Sequence, residues 1–410
     1  INIYAITPVK PIRHCDDSLP PQDVHLTSPK KSLDIVQFTI LKRKANRDPK
    51  FTPVVQLKWC KALVEATAIP AILSYYNSDG ELIGKRLVTP RELHKNREDY
   101  IKKSLKILKK LVIKNDPESN YYLAALYTDG IILERNYNKA YNYYCKAAKF
   151  AHPDAMYRVA VCYELGVGTK QDAKRAFSWF ERASKIGVVT AMYRMGMIYL
   201  EGDLNQAKSA LRAIEYFERA AKSADLKNPH SLYELGKLYE GVYPISSAIN
   251  KLSKLDEMFM RELRMIITDV DEKQAFEYYL RGAKLEHAPS QSKLGWCYEY
   301  GKLGCEIDPK RSIGWYSRAA AQGYAVAEMA LCGWYITGAK GVLEKSDQEA
   351  YLWARRAAEK GLAKAEYALG HFSEHGLGTA RNMEEARRWY MRAAAQQHEK
   401  AILRLQQMRS

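Results

Sequence analysis

From Ser119 to its end the chain repeats itself, and no other feature narrows its fold as much. One copy reads A-M-Y-R-V-A-V-C-Y-E-L-G from Ala155, then a glycine loop, then D-A-K-R-A-F-S-W-F-E-R-A-S. The frame returns at Ala191, Ser231, Ser290, Ala327 and Ala365, with steps of 36, 36, 40, 59, 37 and 38 residues counted from Ser119. A helix pair of this length buries its apolar face only by stacking on neighbours, so the expected fold is an all-α solenoid. Such a fold offers an extended surface to a partner.

The columns of the repeat fit two packed helices. Helix A carries Tyr157, Val159, Cys162 and Tyr163 on one face at helical spacing. Its centre holds a small residue in each copy: Ala124, Ala160, Gly196, Gly236, Gly295, Cys332 and Gly370. Gly inside a helix costs about 1 kcal/mol against Ala, so its recurrence points to a neighbouring helix pressing close. Helix B carries an aromatic in one column (Tyr143, Trp179, Tyr216, Tyr278, Trp315, Trp353, Trp389), with a small residue four positions on. Large knobs against small holes suit interdigitating helices, and this aromatic column is expected in the core.

Helix B also has a consistent start. Asn136, Asp172, Ser209, Asp271, Asp308, Ser346 and Asn382 stand where a side-chain oxygen can satisfy a free backbone N–H. Ser346 with Glu349 and Asn382 with Glu385 have the spacing of capping boxes. Pro117, Pro153, Pro229 and Pro289 punctuate the junctions between copies.

The organisation that follows has four parts. Residues 1–55 are polar and proline-bearing and read as an extended N-terminal arm, in which Asp34 to Leu41 has the composition of a short strand. Residues 56–116 supply N-terminal capping helices, with a loop over 75–86. Residues 117–399 hold seven helix-turn-helix repeats, the step of 59 residues marking an insertion at about 242–269 in the fourth. That insertion is amphipathic (Ile249, Leu252, Leu255, Met258, Phe259, Leu263, Ile266) and either packs back on the stack or contacts a partner. Residues 400–410 close the last core face.

Composition restricts the function. No run of about 18 apolar residues is present to span a bilayer. Seven cysteines do not recur in one column pair, which favours a reducing compartment over a disulfide-stapled secreted repeat. The net charge is +17, and residues 1–115 hold 22 Lys and Arg against 11 Asp and Glu. Its densest part is Lys102, Lys103, Lys106, Lys109 and Lys110, with Leu105, Leu108 and Val112 opposite. This reads as a capping helix with a solvated face, or as a surface drawn to anionic lipid. Nucleic acid is not an expected partner, because its recognition motifs are missing.

Catalytic signals are weak. His371-Phe-Ser-Glu374-His375 matches the H-x-x-E-H pattern of a zinc hydrolase, yet it falls in the helix A frame and no third ligand is apparent. The glycine pairs Gly166/Gly168 and Gly376/Gly378 follow a helix instead of a strand, so they read as turns and not as phosphate cradles. No cofactor and no metal site is expected.

The repeat resembles the Sel-like branch of the tetratricopeptide superfamily, A-x-x-x-L-G-x-x-Y-x-x-G followed by K-A-x-x-W-x-x-x-A-A. The runs A-P-S-Q-S-K-L-G-W-C-Y-E-Y-G from Ala288, L-G-C-E-I-D-P-K-R-S-I-G-W-Y-S-R-A-A, E-A-Y-L-W-A-R-R-A-A-E-K-G-L-A-K-A-E-Y-A and R-R-W-Y-M-R-A-A-A-Q are similar to the fungal activators of chitin synthase III. That resemblance covers roughly residues 100–410. It implies a non-catalytic cytosolic subunit that binds the membrane-embedded synthase, activates it and helps place it at the division site beside septin-linked scaffold proteins. Some members end in a prenylation box, and Gln407-Met408-Arg409-Ser410 is not one. Ile1 in the first position leads us to expect a piece of a longer protein.

Helix A is expected to line the partner face, with Arg158, Arg194, Trp296, Tyr300 and His371 in its variable columns. Trp296 replaces the Ala125, Val161, Met197, Lys237 and Gly333 of other copies, so the core does not demand it and a hot-spot role follows. Two alternatives stand beside this reading. One is a generic repeat scaffold for assembly or quality control of membrane proteins. The other is a metal-dependent hydrolase using His371, Glu374 and His375.

Overall fold

A computed structural model describes residues 33–75, 89–242, 254–267 and 271–408. The chain divides into two compact units, Ile1–Ile198 with Gly202–Ala207, and Tyr199–Glu201 with Lys208–Ser410. The described residues are helical throughout, apart from turns and one isolated bridge between Ala339 and Leu343.

The first unit opens with α1 (Ile35–Asn46), α2 (Pro53–Ala66), α3 (Pro70–Tyr75) and α4 (Pro90–Ile113). Two helix A/helix B pairs of the repeat frame follow: α5 (Pro117–Asp129) with α6 (Tyr137–Lys149), and α7 (Pro153–Leu165) with α8 (Ala173–Lys185). Helix α9 (Val189–Glu201) runs across the division. The second unit holds α10 (Ala210–Lys222), α11 (His230–Tyr239), α12 (Lys254–Ile266), α13 (Glu272–Lys284), α14 (Ala288–Tyr300) and α15 (Pro309–Ala321). It ends with α16 (Ala325–Thr337), α17 (Asp347–Glu359), α18 (Ala363–His375), α19 (Met383–Ala395) and α20 (Glu399–Gln407).

Residues 35–46 correct the strand expected at Asp34 to Leu41. Asp34 accepts a hydrogen bond from the Gln37 amide at 2.6 Å and starts a helix. Phe38 fixes that helix in a core with Trp59, Leu63 and Tyr100, its ring 4.9 Å from Trp59 and 5.8 Å from Tyr100. Tertiary burial of one aromatic overrides the β-branched composition. The extended arm therefore does not reach residue 55; residues 1–32 and 76–88, the latter taking in most of the loop expected over 75–86, lie outside the described residues. Helices α2 and α4 cap the first repeat through Leu57, Cys60, Leu108 and Leu111 against Leu123 and Leu126.

Every helix B has its N-cap. The side chains of Asn136, Asp172, Ser209, Asp271, Asp308, Ser346 and Asn382 each accept from the backbone N–H three residues on. The glycine pairs are turns that press on the preceding repeat. Gly168 and Gly378 have φ of +71° and +65°, and a Cβ there would run into the carbonyl oxygens of Tyr137 and Asp347.

The small column of helix A meets an aromatic of helix B, but not the one expected. A Cβ on Gly236 or Gly370 would stand 2.6 Å from the ring of Tyr279 or Tyr390, and one on Gly295 would stand 2.8 Å from that of Tyr316. These tyrosines, with Tyr144, Phe180 and Phe217, directly follow the expected column and are the ones fully enclosed. The expected column lies one helical step away and is half-buried except for Tyr278. Each of its rings is covered by the cation three residues on: Arg182 over Trp179 at 4.3 Å, Arg318 over Trp315 and Arg356 over Trp353 at 4.7 Å, Arg392 over Trp389 at 4.6 Å. Lys146, Arg219 and Arg281 do the same for Tyr143, Tyr216 and Tyr278.

The described part of the insertion packs back on the stack. Phe259 and Leu263 of α12 are buried. Glu262 caps α10 from outside its own repeat, accepting from the Ala210 amide at 2.8 Å and the Ser209 hydroxyl at 2.9 Å. Lys208 pairs with Asp256 at 2.5 Å.

Tyr316→Ala should cost about 3–5 kcal/mol, as a large-to-small core change. Trp315→Ala, at the neighbouring half-buried position, should cost clearly less. Chemical denaturation of the two variants checks the order, and hydrogen exchange should speed up near residues 288–362 and stay slow at α4, because a repeat touches only its neighbours.

Candidate binding surface

The five residues expected on the partner face divide between the two units, Arg158 and Arg194 in the first, Trp296, Tyr300 and His371 in the second. Arg194 in the first unit is tied down: it pairs with Glu164, with an Nε contact at 3.1 Å, and with Asp203 at 2.8 Å. Arg158 lies among Tyr121, Tyr144 and Tyr157, and its Nη1 is enclosed without a hydrogen-bond partner. Both arginines are therefore parts of the packing. In the second unit, His371 is exposed and stacks on His375 at 4.2 Å.

Trp296 is only partly open to a partner. Its indole is half-buried and packs against the cores of two successive repeats. One face carries the Lys293 ammonium 3.7 Å from the ring centre, and the Tyr300 ring lies 5.8 Å away. Trp296 and Tyr300 do come together, one turn apart on α14. The sequence could not show that Lys293 covers the indole.

The hydrolase reading fails on geometry. Glu374 is buried, whereas His371, three residues before it on α18, is exposed and stacked on His375. It accepts from the Tyr390 hydroxyl at 2.8 Å and pairs with Arg404. Hydrogen bonding from Arg404, with further help from Tyr390, holds its pKa below the usual carboxylate range. A carboxylate so engaged by Tyr390 and Arg404 is committed to the packing between repeats. Among the described residues no group of three His, Cys, Asp or Glu could hold a metal ion, and no helix is long and apolar enough to cross a membrane.

What recurs on helix A is an ionic bridge between repeats. Glu240 accepts from the Tyr279 hydroxyl of its own repeat at 2.7 Å and from Lys293 of the next at 2.6 Å. Glu374 does the same with Tyr390 and Arg404, and Glu164 with Arg194 in the first unit. The carboxylate always stands nine residues after its repeat's anchor, and the cation three after the next. Buried charge is tolerated here because each carboxylate has a cation, a hydroxyl or both.

A second feature is the basic cleft of α4. Lys102, Lys103, Lys106 and Lys110 line it together with Phe51, Asp99 and Ile107, enclosing about 470 Å³. Lys109 belongs to the same helix and is exposed. On the other side Tyr100, Leu108 and Leu111 are buried, so the helix caps the stack while its basic face stays open.

Comparison with known proteins follows this geometry. The Sel1 repeat model matches residues 117–149, 153–188, 189–225, 246–287, 288–324, 325–362 and 363–398. The fourth of these ranges takes in α12 and α13, whereas α13 packs on α11 through the Gly236–Tyr279 contact. The chain is 37% identical over 292 residues to Chitin synthase regulatory factor 3 of Schizosaccharomyces pombe, covering 71% of this chain and 29% of that protein. It is 34% identical to Chitin synthase regulator SKT5 of Saccharomyces cerevisiae, over 75% of this chain and 41% of that protein. It is 35% identical to Activator of C kinase protein 1 of the same yeast, over 89% of this chain and 60% of that protein. Among solved structures, a Sel1 repeat protein from Oxalobacter formigenes covers 94% of this chain, and 99% of that chain is covered, at a TM-score of 0.55 and 17% identity. That likeness supports the fold.

Trp296→Ala should lower stability by about 2 kcal/mol, because the ring fills space between two repeats; urea denaturation reads this directly. A pH effect should come from His287. Burial, with His230 nearby, pushes its pKa from 6.5 down to about 4. The unfolded chain takes up this proton below pH 6.5 and the folded chain does not until about pH 4, so stability falls as pH drops through that window. The loss should reach about 2–3 kcal/mol, and thermal melts of His287→Gln should show most of the slope removed.

Proposed function

Because the chain belongs to the Sel1 repeat family, we propose that it works by contact, as a non-catalytic regulatory subunit of chitin synthase. The observation that carries this reading is the similarity, over 71% and 75% of the chain, to two yeast proteins named as chitin synthase regulators. The chain spans less than half the length of either, so what the whole relatives do comes to it as proposal. The repeated caps and bridges support the same reading, since among the described residues they commit the buried carboxylates to packing between helices.

In finer detail, the partner is the membrane-embedded catalytic subunit of the type III synthase, which the chain binds from the cytoplasmic face of the plasma membrane and activates. Glycosyl transfer belongs to that partner. Its place of action is the division site, with septin-linked scaffold proteins as neighbours. The open basic cleft of α4 supports a peripheral contact with the leaflet, worth about 1 kcal/mol per basic residue near an anionic surface. The kinase-activator name of one relative favours a second reading, a scaffold acting on a protein kinase.

Capture from solubilised fungal membranes, read by mass spectrometry, separates the two. Recovery of the synthase, and a rise in its activity when the purified chain is added, is expected; recovery of a kinase without the synthase would replace the first reading by the second. The membrane contact has its own check. The chain should bind vesicles of phosphatidylserine and phosphatidylcholine at low salt and release near physiological salt, where screening acts over about 8 Å. Changing Lys102, Lys103, Lys106, Lys109 and Lys110 to Gln should abolish that binding, and persistence in high salt would exclude the cleft as its cause.

A further inference from the structure

The bridges between repeats contain one carboxylate whose cation is missing. Glu299 stands in the fifth repeat where Glu240 and Glu374 stand in the fourth and seventh. Like them it accepts from the buried tyrosine of its own helix B, here Tyr316 at 2.8 Å. The next repeat should deliver a base three residues after its anchor, as Lys293 and Arg404 do, but that position is Ala330. Among the described residues Glu299 makes no ion pair. Tyr316 and Tyr300 supply its hydrogen bonds, and burial still raises its pKa.

The surroundings leave this place open. Six residues after its anchor the fifth repeat has Trp296, which roofs Lys293; the sixth repeat has Gly333 there. Ala330 and Gly333 are both small and half-buried, so the sixth repeat brings neither a cation nor an aromatic roof to the positions that hold Lys293 and Trp296 one repeat earlier. The following junction shows that the pattern is not a general loss of charge, for there Ile336 faces the position of Ala368 and acid and base are absent together. Glu299 is half-buried, so it is reachable, whereas the converse case, Arg158 opposite Thr128, has its Nη1 enclosed.

We propose that the open rung at Glu299 receives a lysine or arginine side chain from the partner polypeptide, which supplies in trans the cation that Lys293 and Arg404 supply within the chain. A basic group arriving there meets a carboxylate already oriented by two hydroxyls and edged by Trp296 and Tyr300. Charge complementarity of this kind fixes register more than it adds area. Identifying the partner as the synthase rests on the function proposed above.

Two variants and two probes test it on the whole chain. Glu299→Gln keeps the hydrogen-bonding shape and removes the charge; Ala330→Arg fills the rung from within. The first probe is a hexa-arginine peptide titrated by calorimetry: both variants should bind about tenfold more weakly than the parent. A third variant, Ala330→Gln, adds bulk without charge and should keep the parent's stability and more of its peptide binding than Ala330→Arg. Equal peptide binding by the parent, Glu299→Gln and Ala330→Arg overturns the proposal. The second probe is capture of the synthase from membranes, which both variants should reduce by a similar factor. Capture unchanged by Glu299→Gln also overturns the proposal. If the parent discriminates in the peptide titration but captures no synthase, the rung stands and the partner assignment falls.

Discussion

The contact on which the structure depends is a tyrosine ring laid on a residue with little or no side chain. Gly236, Gly295 and Gly370 each cost their helix about 1 kcal/mol against Ala, and each lets the ring of Tyr279, Tyr316 or Tyr390 come closer than a methyl would allow. Burying those rings repays more than the glycines lose. It also carries a hydroxyl into the interior, and a buried hydroxyl needs a partner. Glu240, Glu299 and Glu374 accept from these hydroxyls. A half-buried carboxylate in turn calls for a cation, and the next repeat brings Lys293 or Arg404 to two of the three. The steric choice at one backbone position thus propagates, contact by contact, into the electrostatics between repeats.

Much of this was legible in the sequence, and the limits are physical. The period, the N-caps and the small column are local or strictly repeated, so each copy confirms the others. The core aromatic was assigned to the wrong one of two neighbours because consecutive helical residues differ by about 100° in direction, and both columns are aromatic. Composition alone cannot choose between Trp315 and Tyr316; the position of Arg318, three residues after the tryptophan, is the signal that could have. Residues 35–46 were misread because a short β-branched run is ambiguous without knowledge of what Phe38 packs against. The insertion kept two readings open, since Glu262 caps a helix 52 residues away and no spacing rule reaches that far.

The candidate surface was less legible than the fold. Trp296 was found because it breaks the column pattern, and what the sequence could not show is that its indole is shared between two cores. Arg194 looked variable and turned out to be one end of a bridge to Glu164. Such pairs join neighbouring copies, so they appear only when the helices are placed in register; then Glu299 stands out as the member whose partner position is Ala330. Deviations from a repeat are informative in proportion to what the repeat itself demands at that place.

The cations that lie over Trp179, Trp315, Trp353 and Trp389 bear on how the chain behaves at high concentration in a crowded cell. Bare indoles recurring in successive repeats would be adhesive, inviting contacts between identical copies. A guanidinium plane laid on each ring presents water with a hydrated, like-charged grid instead. Like charge over each ring then disfavours contact between copies through these residues.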